Sequence, residues 1–242
     1  MKNSQSGNVL IYILIVVALL AALSYAIAQS GRGSVGGLSK ERARLYATEI
    51  LEYGGIIRQA VSQIRLRGYQ DREISLENNI VADYENTNCD DSECEIFNVN
   101  GGGVHYFAPK SVWLDNTQSS ESEYGTLYFH GEASVVEVGL VRDDLIMFMP
   151  YVKKEICMAI NKQLGIVLSG RDVPLETNGP FAVNMKFVGD FGIALDRKVS
   201  GDGTVGDDQV LYGKMAGCTE ASGTASTPLA ETYHYYQVLL AR

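Results

Sequence analysis

Val9-Leu10-Ile11-Tyr12-Ile13-Leu14-Ile15-Val16-Val17-Ala18-Leu19-Leu20-Ala21-Ala22-Leu23-Ser24-Tyr25-Ala26-Ile27-Ala28 is the stretch that decides how the rest of the chain is read. It carries no charge, and Tyr12, Ser24 and Tyr25 are its only polar side chains. At about 1.5 Å of rise per residue, a run of this length gives ~30 Å of helix, the thickness of a bilayer core. A cleaved secretory signal has an apolar core of only about 7–15 residues. The run therefore predicts a transmembrane helix over 8–29. Before it lies a short polar leader, 1–7, ending in Ser6-Gly7. After it, Ser30-Gly31-Arg32-Gly33-Ser34-Val35-Gly36-Gly37 is too rich in glycine to hold a helix and predicts a hinge over 30–37.

The remainder, 38–242, reads as one head. Ser39 is a suitable N-cap for a second helix. Along that helix Tyr46, Ile50, Tyr53, Ile57, Val61 and Ile64 recur every three or four residues, opposite Lys40, Arg44, Glu52, Arg58, Gln59 and Arg65. Gly54-Gly55 marks a weak point or a close approach, and Gly68 an end. From Ile80 onward short β runs are predicted at 95–99, 104–108, 126–130, 135–141 and 145–149. A helix follows over 151–164, then β runs at 181–188, 193–195, 210–212 and 233–240. Asn98-Val99-Asn100-Gly101-Gly102-Gly103 reads as a turn. The order, an amphipathic helix, a largely antiparallel sheet, a second helix and a final sheet, predicts an α+β fold.

A short polar leader ending in Gly7, followed by the apolar helix, resembles the class III signal of type IV pilins and type II secretion pseudopilins. The resemblance implies that a prepilin peptidase cuts between Gly7 and Asn8 and methylates Asn8. It implies a pilin-like fold and a filament in which apolar helices pack together, with other pilin-like subunits as partners. The chain departs from the usual pattern in starting its mature form at Asn8. It also has Tyr12 where the family places Glu, which resembles tip-type minor subunits.

Placement rests on two opposed signals. Lys2 precedes the apolar run, while Arg32, Lys40, Arg42 and Arg44 follow it, and that count alone puts the head in the cytoplasm. The prepilin-like leader and the cysteines point the other way, to a single-pass inner-membrane subunit with a periplasmic or extracellular head. Formal net charge is −9, and an acidic chain without a basic stripe argues against nucleic acid as a partner.

Four cysteines allow three pairings. Cys89 and Cys94 bracket Asp90-Asp91-Ser92-Glu93, and a bridge there would restrain a short acidic loop. Cys157 lies on the predicted helix and Cys218 in a Gly-rich stretch. Joining those two resembles the C-terminal loop of type IVb pilins, a surface facing other subunits. The competing states are free thiols and a zinc site, but no second Cys or His pair stands at zinc spacing. His105, His130 and His234 are read as isolated strand residues at a surface or edge. Gly201-Asp202-Gly203-Thr204-Val205-Gly206-Asp207-Asp208 gathers Asp202, Asp207 and Asp208 on a flexible loop, a set of hard oxygen ligands suited to calcium. No other cofactor is expected.

No Gly-x-Ser-x-Gly elbow, His-Glu-x-x-His pair or Walker loop is present, so an enzyme is not expected. Asp143-Asp144 is read as a solvated turn. Tyr233-His234-Tyr235-Tyr236 is read as a strand with one core face, the other being a contact face or, more commonly, packed across strands. The leading expectation is a minor pilin or pseudopilin-like structural subunit of a type IV pilus or type II secretion filament. An uncleaved single-pass protein with an exported binding domain is the alternative, and a tethered hydrolase the third.

Overall fold

The computed structural model describes residues 6–30, 38–140, 142–168, 170–176, 186–192, 197–199, 208–222 and 229–242, with side chains in the first helix described over 11–25. Met1–Arg42 and Ala43–Arg242 form two compact units. The first contains helix α1, Ser6–Ser30, which has no acidic residue in its first turn and no basic residue in its last. Its described side chains are exposed on every side, from Ile11 to Tyr25. Among the described residues no helix is long and apolar enough to cross a membrane. The expected transmembrane helix and single-pass inner-membrane placement are corrected accordingly.

Helix α2, Lys40–Leu66, follows the sequence pattern closely. Ser39 Oγ accepts from the Arg42 N–H at 3.3 Å, supplying the cap that an orphan first-turn donor needs. Ala43, Ala47, Ile50, Tyr53, Ile57, Ala60, Val61 and Ile64 are buried along one stripe. Gly68, at φ +106°, takes the left-handed conformation just beyond the helix.

Among the described residues six strands form one mixed sheet: β1 (Tyr128–Val135), β2 (Asp144–Met149), β3 (Leu175–Glu176), β4 (Lys198–Val199), β5 (Ala216–Ala221) and β6 (Tyr233–Leu240). Their order is β3-β5-β6-β2-β1-β4. The four central strands pair antiparallel, while β4 on β1 and β3 on β5 pair parallel. A register shift interrupts β1 between His130 and Ala133. Helix α3, Lys154–Gln163, packs on β5 and β6. One core cluster joins Tyr128, Ile146, Phe148, Tyr236 and Val238 with Val199 and Leu211.

The pilin-like arrangement of an amphipathic helix laid on a largely antiparallel sheet is therefore corrected. The sheet is mixed, and the helix with broad strand contact is α3. The buried stripe of α2 meets the segment between it and β1. Tyr53 donates to the His105 carbonyl, accepts from the Phe107 N–H, and lies 3.9 Å from the Phe107 ring centre. Ala60 faces Gly102, where an added Cβ would stand 2.9 Å from it. Gly54 is the place where α2 meets β6, since a Cβ there would lie 2.6 Å from Tyr235 Oη.

The runs expected as strands at 95–99 and 104–108 are turns and coil. Asn98 N–H donates to Glu95 O and Val104 N–H to Ile96 O, while Ile96 N–H donates to Ser75 O and Phe107 N–H to the Tyr53 hydroxyl, with one isolated bridge from Ser75 to Glu95. Residues 136–140 turn instead of continuing β1, and the run at 210–212 falls largely within a 3₁₀ helix, Asp208–Leu211. Of the strand expected at 181–188, residues 186–188 are not strand and 181–185 lie outside the described residues, as does the run at 193–195.

Candidate functional site

Both disulfides are formed, Cys89–Cys94 and Cys157–Cys218. The first closes the acidic loop, leaving Asp90, Asp91 and Glu93 exposed. The second fastens α3 to β5, where Asn161 adds a pair of hydrogen bonds. Its Nδ2 donates to the Cys218 carbonyl at 2.9 Å and its Oδ1 accepts from the Cys218 N–H at 2.8 Å. Strand β3 pairs with β5 only at Glu220 and Ala221, so the amide serves Cys218 on the edge that β3 does not reach, while Cys218 stands in register with Tyr235 of β6 on the other.

Gly7 and Asn8 lie in the first turn of α1, where backbone N–H groups have no intrahelical acceptor and fraying is easiest. Asp202 and Asp207 lie outside the described residues. Asp208 opens a 3₁₀ helix, with its side chain outside the described set. Among the described residues no group of acids, histidines and cysteines is arranged to hold a metal ion.

The carboxylates read as a solvated turn are buried instead: Asp143 is 1% exposed and Asp144 fully enclosed. Asp144 accepts from the Val135 N–H at 3.1 Å and the Arg242 N–H at 2.9 Å. Burial outweighs those two bonds and pushes its carboxyl up to about 6. Asp143 has no hydrogen-bond partner among the described residues. Burial and the neighbouring Glu132 raise its pKa, against the opposing guanidiniums of Arg242 and Arg197. The histidines on β1 and β6 are core groups, His130 at 2% and His234 at 1% exposure. Burial lowers them to about 4 and about 3. Strand β6 is covered on both faces, with Tyr235 and Tyr236 enclosed, so the expected tyrosine contact face is also corrected.

Arg242 connects the buried acids to an open groove. Its backbone is held by Asp144 and its carbonyl accepts from the Leu140 N–H. Its guanidinium lies 3.9 Å from the Phe191 ring centre, and its Nε reaches Asp71 Oδ2 at 3.5 Å. The other oxygen of Asp71 binds Arg65 Nε at 2.8 Å. One carboxylate thus sets two guanidiniums side by side. Arg72 and Tyr69 complete the lining of a groove of about 790 Å³, with Leu66 and Ser62 from the last turns of α2. Ser62 donates to Arg58 O and Tyr69 to Asp91. With those hydroxyls engaged, the groove offers fixed positive charge beside apolar surface, an arrangement for recognising carboxylates. Sequence reading places Arg65 merely on the polar face of α2, because nothing local links it to Asp71 or to Arg242 at the far end of the chain.

No family model, curated protein or solved structure matches this chain.

Proposed function

We propose that this protein is a structural subunit that assembles through α1, processed between Gly7 and Asn8 by a prepilin peptidase in the manner of type IV pilins and pseudopilins. The observation that carries the reading is α1 itself, uncharged in its first and last turns and exposing apolar side chains around its circumference from Ile11 to Tyr25. A helix apolar on every side is stable when something covers it. Sister helices of the same kind supply that cover in a filament, and other pilin-like subunits are the partners. The two disulfides favour an oxidising compartment for the unit that follows α1. That unit departs from the pilin arrangement in its sheet and in the packing of α2, so the reading rests on α1 and its leader.

Processing is tested by the mass of the N-terminal peptide of protein isolated from its native cells. The expected peptide starts at Asn8 and carries a methyl group. An intact Met1 contradicts the processing step.

A further inference from the structure

The groove and the acidic disulfide loop stand side by side. Tyr69 lines the groove, and its hydroxyl donates to Asp91 of the loop, 2.9 and 3.0 Å from the two carboxylate oxygens. That contact fixes the loop beside the groove of its own chain. The loop is rigid for its size, since Cys89–Cys94 closes it. Asn100 Nδ2 also braces it, donating to Ser92 Oγ. Asp90, Asp91 and Glu93 project from it into solvent. Across Tyr69, Arg65, Arg72 and Arg242 present positive charge in a chain whose net charge is −9. Asp71 engages both Arg65 and Arg242 through Nε. On the rim of the groove Leu66 is 87% exposed, one of the two most exposed large apolar side chains among the described residues.

A surface that carries a basic groove and an acidic knob next to each other is complementary to itself. Rotating a second copy by two-fold symmetry about the region of Tyr69 sets each knob over the partner's groove and brings the two Leu66 side chains toward the axis. We propose that this face forms a two-fold contact between copies of the chain, in which the Cys89–Cys94 loop of each copy docks in the Arg65–Arg72–Arg242 groove of the other. A second copy suits the groove better than a small anion. The groove is far larger than one anionic group, and the stapled loop offers the carboxylates of Asp90 and Glu93 with little entropy left to lose. The contact does not use α1, so it stands or falls separately from the assembly reading.

The test uses the full chain carrying Leu14→Glu and Leu20→Glu, which removes association through α1. Sedimentation equilibrium across a concentration series is expected to show a monomer–dimer equilibrium that weakens about tenfold or more as salt rises from about 0.05 to 0.5 M. Arg72→Glu and Glu93→Arg are each expected to weaken the dimer about tenfold. The two together are expected to restore it, because each copy then offers the reversed charges to the other. Glu93 and Arg72 are both exposed, so the rescue also separates lost contact from lost fold. A chain that stays monomeric at every concentration overturns the proposal. So does a dimer indifferent to both substitutions, or one that the double substitution fails to rescue.

Discussion

His130 and His234 enter the fold uncharged, and this gives stability a direction with pH. Both have folded values, about 4 and about 3, below the ordinary 6.5. Their contribution is complete above pH 6.5 and is lost as pH falls toward those values, roughly 2 kcal/mol for each at pH 5. Asp144 acts in the opposite sense. Its carboxyl is raised from 3.8 to about 6, so its contribution is present at acid pH and is lost as pH rises through 6. Urea unfolding at pH 7.5 and pH 5 separates them: His234→Gln is expected to flatten the decline on acidification, and Asp144→Asn to steepen it. Gly54 gives a second expectation at this scale. Tyr235 Oη, 2.6 Å from where a Cβ would stand, is enclosed and donates to Gln237 at 2.9 Å. Gly54→Ala is expected to destabilise by about 1–3 kcal/mol through overpacking, read as a lower thermal midpoint. Sequence reading flagged this glycine as a close approach. It misread Asp143-Asp144 and the two histidines, because a polar residue between strands shows its burial only once the chain beyond it folds back.

Among the elements, the join between α3 and β5 carries much of the tertiary constraint. Cys157–Cys218 spans a sequence separation of 61, and loop entropy alone makes its removal worth up to about 4 kcal/mol, against about 2 for Cys89–Cys94. The paired replacement Cys157→Ala with Cys218→Ala is expected to lower the denaturation midpoint more than Cys89→Ala with Cys94→Ala. Asn161→Ala leaves the buried Cys218 N–H and C=O without the amide, and is expected to cost about 1–3 kcal/mol in the same assay. The elements that sequence reading located well are those where periodicity and burial agree: α2 with its Ser39 cap, β2, α3 and β6. Ile96 and Tyr106 explain the false strands before β1. Both are buried, so their apolar pattern is real, but turns, the Ser75 carbonyl and the Tyr53 hydroxyl rather than a ladder take the backbone donors. Strand β5 fails for the reverse reason. Ala216-Gly217-Cys218-Thr219-Glu220-Ala221 looks like a loop, yet Gly217 is needed there, because a Cβ would press within 2.9 Å of the Tyr236 ring.

At the scale of the whole molecule, two surfaces stand out among the described residues. One is the apolar circumference of α1, conspicuous in the sequence because it is local and uninterrupted. The other is the charged face around Tyr69, invisible in sequence because Arg65, Asp71, Asp91, Phe191 and Arg242 meet only when the chain is folded. A chain at −9 repels its copies at long range, so assembly depends on short-range contacts at such surfaces. The central claim, that α1 is buried against the apolar N-terminal helix of another subunit, is most directly tested by photo-cross-linking in native cells. A photoreactive residue at Leu19 is expected to give adducts whose second peptide, identified by mass spectrometry, is the N-terminal helix of a second copy or of another pilin-like subunit. Illumination that yields no adduct with such a helix contradicts the account.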